Sequence, residues 1–336
     1  MYLMDHLIET SHEVRRRHGR HGIDHPILGV YPDIEDRLKG CPRFLFDNDA
    51  IHTAVELTLG RPKVLREIMS HIRIPYPKMW IEWDESGREK LRQTFGNDDD
   101  PIETAQRPLP TKIGFLLECD QEGRKGQVTW AWTNTHITDH DPPNVAPISA
   151  FFDLDGFYPQ DKAREQGFLR ANLASIWKDN KIQQKALISI WETSQHRPSE
   201  WGVKYILSAG NKLTDWQIAN FYADVYGEYI MVWAVMILLT SSRKILNYEK
   251  IDNAKWNKAR TKQGKSPRLD HTKITLHINQ EAHIHQQGMP LGYTRKSPRI
   301  HMVQSYPNHR GDKYWVVQPF SRGSGEVISR HIKVKT

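Results

Sequence analysis

Ile113 to Thr133 reads IGFLLECDQEGRKGQVTWAWT, and this stretch decides the fold class. Ile113 to Cys119 is a short apolar run, while Val128, Trp130 and Trp132 alternate with Thr129, Ala131 and Thr133, the period of a β-strand. The link from Asp120 to Gly126 carries two glycines, as a hairpin loop does. Upstream, Met79, Ile81 and Trp83 alternate with Trp80, Glu82 and Asp84, which predicts a further strand of the same antiparallel meander. Between these strands lies Gly96 to Pro110 with its acidic run Asp98 to Asp100, read as an exposed loop.

Helical patterns flank the meander. Ile51 to Leu59 reads as a helix closed by Gly60, and Pro62 opens a second, whose Val64, Leu65, Ile68, Met69 and Ile72 share one face. Residues Ala163 to Asn247 are expected to be helical as well. There Thr214 and Gln217 have the spacing of a capping box, and Ile218, Phe221, Val225, Val232, Met236 and Leu239 recur at helical intervals. Tyr222, Tyr229 and Trp233 widen that stripe, so the helix is expected to be covered on more than one side. Its most apolar run, Tyr229 to Leu239, is well short of the roughly 18 to 20 residues of a membrane span, which predicts a core helix and no membrane partner.

The first forty residues hold Arg15, Arg16, Arg17 and Arg20 with His12, His18 and His21, and residues 1–42 read as an irregular basic leader. They show no apolar core with a small-residue cleavage site, hence no secretory signal is expected. With only Cys41 and Cys119 in 336 residues, a reducing, cytoplasmic location is expected and disulfide scaffolding is not. Eleven Trp, twelve Tyr and ten Phe supply ample apolar area for a folded core.

Charge is distributed unevenly. Lys255 to Thr336 holds 16 Lys and Arg against 4 Asp and Glu, a net of +12, whereas Met1 to Ala254 carries a net of −5. Such asymmetry fits contact with a polyanion or an acidic protein, and equally a solvated, lysine-rich surface that keeps the protein soluble. Ala254 to Arg268 reads as a basic helix ending in a turn, and strands are expected at Ile274 to Ile278, Ile300 to Val303, Tyr314 to Val317 and Val327 to Val334. The expected architecture is therefore α+β: a mixed helical and antiparallel body over 43–254, with a long core helix near 214–247, and a basic β-rich module over 255–336.

The familiar linear fingerprints of catalysis are missing: no phosphate-binding Gly-Lys-Ser/Thr loop, no dinucleotide glycine pattern, no nucleophile elbow, no Cys-x-x-Cys. His271, His277, His283 and His285 with Glu281 are candidate metal ligands, but His277 lies opposite the apolar face of its strand, and no bound metal or cofactor is expected. Asp153 and Asp155 in FFDLDGFYP could share a divalent cation; an Asp-Gly turn explains the same residues without one. His136, Asp139, His140 and Asp141 read as loop residues. In the basic segment, cations suited to phosphate and aromatics suited to stacking are interleaved, which fits an RNA or single-strand surface; a small basic sheet whose aromatics are its core explains the same residues. The candidate nucleic-acid-binding residues are Lys258, Arg260, Lys265, Arg295, Lys296, Arg299, Arg310, Trp315 and Arg322.

Asn257-Lys258-x-Arg260, Gly264-Lys265-x-Pro267 and His271, followed by Ser297-Pro298-Arg299-x-His301, Tyr314-Trp315-Val316 and Arg322-Gly323, together resemble a C-terminal pattern of uncharacterised phage and prophage proteins. The resemblance covers about a quarter of the chain. Gln304-Ser305 stands where that pattern has Arg-Gly. The likeness implies a viral or mobile-element origin and no particular reaction. The leading expectation is a phage-type accessory protein that binds RNA or single strands. The alternatives are a metal-dependent hydrolase or nuclease, and a scaffold or inhibitor of an acidic host protein.

Overall fold

The computed structural model describes residues 2–60, 62–85, 110–134, 141–158, 181–210, 213–242, 245–264, 267–276, 301–303, 306–317 and 320–322. The predicted hairpin is at its centre. Strand β3 (Pro110–Cys119) pairs antiparallel with β4 (Lys125–Asn134), Cys119 opposite Gly126. The turn is closed by Gly123 at φ +65, where a Cβ would lie 2.6 Å from the Ile74 nitrogen. On one side β3 meets β2 (Lys78–Asp84), which lies parallel to β1 (Arg43–Phe46). The parallel pairing follows from the crossover between them, α3 (Asn48–Gly60) and α4 (Pro62–Met69), because parallel neighbours need a long connection. On the other side β4 pairs with β5 (Asn144–Val145) and β6 (Ile148–Asp153).

The order across the sheet is β7-β6-β4-β3-β2-β1-β9-β8, with β5 beside β4, giving a mixed sheet of nine strands. Its edges are β7 (Ser194–Pro198) and β8 (Leu246–Ile251). Between β8 and β1 sits β9 (His271–Leu276), parallel to β1 and antiparallel to β8. The expected boundary near residue 255 therefore runs through one sheet: β9 comes from the basic segment, and its Ile274 is part of the main core.

One face of the sheet is covered by α3, α4, α5 (Lys181–Trp191) and α7 (Asp215–Thr240). Phe44, Phe46, Met79, Ile81, Trp83, Phe115, Leu117, Val128 and Trp130 point into this layer. Helix α7 starts at the expected capping box: the Gln217 amide donates to Thr214 Oγ1 at 3.2 Å and the Thr214 amide to Gln217 Oε1 at 2.9 Å. From Tyr229 to Leu238 every residue is buried, so the helix is apolar all round because it is enclosed all round. Gln217–Thr240 is long and apolar enough to cross a membrane, and 67% of its most apolar window is buried inside the protein.

The opposite face is covered by the residues expected to form an irregular leader. They are helical: α1 (Leu3–Asp24), kinked at Gly19, and α2 (Val30–Leu38). Leu3, Leu7 and Val14 fall on one helical stripe and pack with Val30, Ile34 and Leu38 against Trp80, Leu116 and Ala131. Arg15, part of the basic cluster, bonds Glu35 at 3.2 Å and Asp36 at 3.1 Å across the two helices. Both faces of β2 are buried as a result, which an alternating pattern with Glu82 in it does not announce.

Three further expectations are corrected. The helix expected to run from Ala163 to Asn247 is interrupted by β7, whose polar sequence SQHRP pairs with β6 and buries Ser194 and His196; α6 (Glu200–Ala209) and α7 follow. That helical stretch also ends at Thr240, leaving Asn247 in β8. The strand expected at Ile274 to Ile278 begins earlier, at His271. Near the C-terminus β10 (His301–Val303) pairs with β13 (Phe320–Arg322), and β11 (Tyr306–Arg310) with β12 (Lys313–Val317). The β11-β12 hairpin seats Tyr314 and Val316 in the main core, with Tyr314 Oη donating to Thr240 Oγ1 at 2.6 Å.

Candidate nucleic-acid interface

The predicted basic helix is α8 (Ala254–Lys262), and it has no buried residue. With only Ala254, Trp256 and Ala259 as apolar side chains, it has no stripe with which to enter a core. Polar bonds to the backbone of the following segment hold it in place. Asn257 donates to the Arg268 carbonyl at 2.8 Å and accepts from the Arg268 amide at 2.7 Å. Asn253 donates through Nδ2 to the Leu269 carbonyl at 2.7 Å, and its amide donates to Asp270 at 2.7 Å. Asp252 accepts from the Ala254 amide at 2.7 Å, satisfying a donor of the first turn. The helix ends at Lys262, just before Gly264 at φ +69, with Arg260 and Lys262 in its last turn where cations favour the dipole.

This clamp leaves Lys255, Lys258 and Lys262 exposed at intervals of three and four residues, hence along one stripe. Ala254, Asn257, Lys258, Thr261 and Lys262 follow one another along the same side of the helix. Trp256 is 61% exposed, and the Arg268 guanidinium carbon lies 5.3 Å from its ring centroid. An indole so placed is an apolar plate held in water, with cations on either side in sequence. Neither Trp256 nor Arg268 is among the residues predicted to bind; the available signal was a Trp between lysines on a helix lacking an apolar face.

The predicted residues do not converge. Lys258 is exposed on the lysine stripe of α8. Arg260 Nη2 reaches Glu9 at 3.4 Å, with its side chain only 17% exposed, and joins α8 to α1. Arg310 is exposed at the tip of the β11-β12 hairpin, opposite Lys313. Trp315 is half-buried on the outer side of β12, between the buried Tyr314 and Val316, so the core aromatic of this strand is Tyr314. The hairpin rests on α3, α4 and α7, whereas α8 is tied to α1, and the sheet lies between them. Arg322 is on β13, opposite His301. Lys265, Arg295, Lys296 and Arg299 lie outside the described residues.

His271 is buried in β9, its ring edge-on to Tyr2 at 5.0 Å, and burial, with Arg43 close by, lowers its pKa. His277, Glu281, His283 and His285 lie outside the described residues, as do His136, Asp139 and His140. Asp153 and Asp155 form the turn expected of Asp-Gly: the Asp155 amide donates to Asp153 Oδ1 and the Gly156 amide to the Asp153 carbonyl, each at 3.0 Å. Their carboxylates pair with Lys125 and Arg124. Among the described residues no group of three or more His, Cys, Asp or Glu is placed to hold a metal ion.

No family model matches the chain, and no curated protein or solved structure is significantly similar to it.

Proposed function

We propose that the protein binds single-stranded nucleic acid, RNA or DNA, with α8 as the contact element. The observation that carries this reading is the exposed Trp256 beside Arg268 on a helix lined with Lys255, Lys258 and Lys262. Aromatic faces stack on unpaired bases while cations track the backbone, and the helix offers both on one exposed element. Its rigid clamp through Asn253 and Asn257 means little ordering cost on binding. The net +12 of the segment after Ala254 draws a polyanion towards this end of the chain. A phage or mobile-element accessory role in the cytoplasm is the setting suggested by the C-terminal pattern and the two free cysteines.

Fluorescence anisotropy with labelled oligo(U) and oligo(dT), and with a duplex control, tests this. Trp256→Ala is expected to cost about 1–3 kcal/mol of binding. Lys258→Ala and Lys262→Ala are each expected to flatten the slope of log affinity against log salt by about 0.7. Absence of binding by the intact chain at low salt, or equal binding by all three variants, would refute the reading and favour an acidic protein as the partner.

A further inference from the structure

Strand β8 closes one edge of the sheet and, among the described residues, has a neighbour on one side only. Asn247, Tyr248, Glu249 and Lys250 are all exposed, Tyr248 at 53%. The outward N–H and C=O groups of an edge strand are a template for pairing. The opposite edge, β7, ends in Pro198, which has no amide to donate.

The sequence of this edge is compatible with pairing to itself. Ile245 to Ile251 reads Ile-Leu-Asn-Tyr-Glu-Lys-Ile, with an isoleucine three residues to either side of Tyr248 and no like charges at matching distances from it. We infer that β8 pairs antiparallel with β8 of a second copy of this chain, about a two-fold axis through Tyr248, joining two sheets into one. Side chains directly opposed across an antiparallel pair share a face, and a two-fold normal to the sheet preserves faces. The axis must then pass through a residue and not between two. Through Glu249 or Lys250 it opposes like charges, which is unfavourable. Through Tyr248 it sets Asn247 against Glu249 as amide to carboxylate, Leu246 against the Lys250 stem, Ile245 against Ile251, and Tyr248 against its own copy. This inference does not rest on nucleic-acid binding. Because α8 begins three residues after β8, however, the pair would present two α8 helices together.

Sedimentation of the full chain across about 1 to 100 µM is expected to show a concentration-dependent dimer. Asn247→Glu, an exposed change, sets carboxylate against carboxylate twice and is expected to weaken the dimer about tenfold or more. Tyr248→Cys places two thiols with Cα atoms about 4.5–5.5 Å apart, within disulfide reach, and is expected to give a covalent dimer on mild oxidation. Asn247→Cys, whose copies would be more than about 7 Å apart, is expected not to. The native Cys41 and Cys119 thiols are pushed up by burial to about 12 and about 11, so the unsubstituted chain is a slow-linking control. A monomer at every concentration, or Tyr248→Cys linking no faster than Asn247→Cys, overturns the inference and leaves the edge to a strand of another protein.

Discussion

Arg43 and Glu82 meet at 3.1 Å on neighbouring parallel strands, both fully buried, and their contact anchors α1 to the sheet. The Glu82 carboxylate also accepts from the Leu3 and Met4 amides at 3.1 and 2.9 Å and from Trp80 Nε1 at 2.6 Å. It therefore sits at the positive end of α1, where a carboxylate is favoured. Arg43 spans from it to Asp5 at 3.0 Å and lies over the Tyr2 ring at 4.9 Å.

Removing the guanidinium leaves two carboxylates buried with their cation gone, the costly way to break such a cluster. Arg43→Ala is expected to lose about 3–5 kcal/mol. Adding Asp5→Asn and Glu82→Gln to it should recover part of that loss, because the uncompensated charges disappear. Urea unfolding of the three chains measures both effects; equal midpoints for Arg43→Ala and the triple variant would show that packing, not charge, dominates.

Glu118 gives a pH dependence of known sign. Burial pushes its carboxyl up, but Arg37 at 2.6 Å, Gln127 at 2.7 Å and Lys78 outweigh burial and hold it below the ordinary 4.5. A carboxyl depressed in the folded state stabilises the protein above its unfolded pKa, and that stability is lost as pH falls through the folded value. The stability difference between the wild type and Glu118→Gln is expected to be full near neutrality and to shrink progressively below about pH 4.5. Urea midpoints from neutral to acid pH read it directly.

Two glycines with similar positive φ should respond differently to a methyl group. Gly123 has φ +65 and a Cβ site 2.6 Å from the Ile74 nitrogen, whereas Gly264 has φ +69 and open space around it. Gly264→Ala is expected to cost about 1–2 kcal/mol of left-handed strain alone. Gly123→Ala carries the same strain plus a clash with backbone, so its thermal midpoint should fall distinctly further.

Tyr314 holds the β11-β12 hairpin on the helical layer through its ring and its bond to Thr240. Tyr314→Phe keeps the ring and is expected to cost about 0.5–1.5 kcal/mol. Tyr314→Ala removes both, and the hairpin should gain amide exchange over Tyr306 to Val317 while β3 and β4 stay protected. Uniform loss of protection would mean instead that the hairpin and the main sheet unfold as one unit.

Patterns confined to neighbouring residues are legible in the sequence itself. The alternation around Trp130, the glycine-containing loop to Gly126, and the Thr214–Gln217 capping box each specify local backbone geometry, and each stands where it is expected. The α+β class follows from them. What the sequence alone does not supply is which surfaces meet. Leu3, Leu7 and Val14 form a stripe diluted by arginines and histidines, and only the bare Trp80 side of the sheet makes that stripe a core. His271 to Leu276 looks like any short strand until β1 and β8 close around it. The polar β7 is a strand only because β6 supplies its ladder. The basic residues after Ala254 form one block in sequence, yet Lys258 and Trp315 stand on opposite sides of the sheet. Helix turns and hairpins are selected by dihedral preferences and bonds a few residues apart. Pairings separated by tens or hundreds of residues depend on which buried faces remain to be covered, a property of the assembled fold that no local window contains.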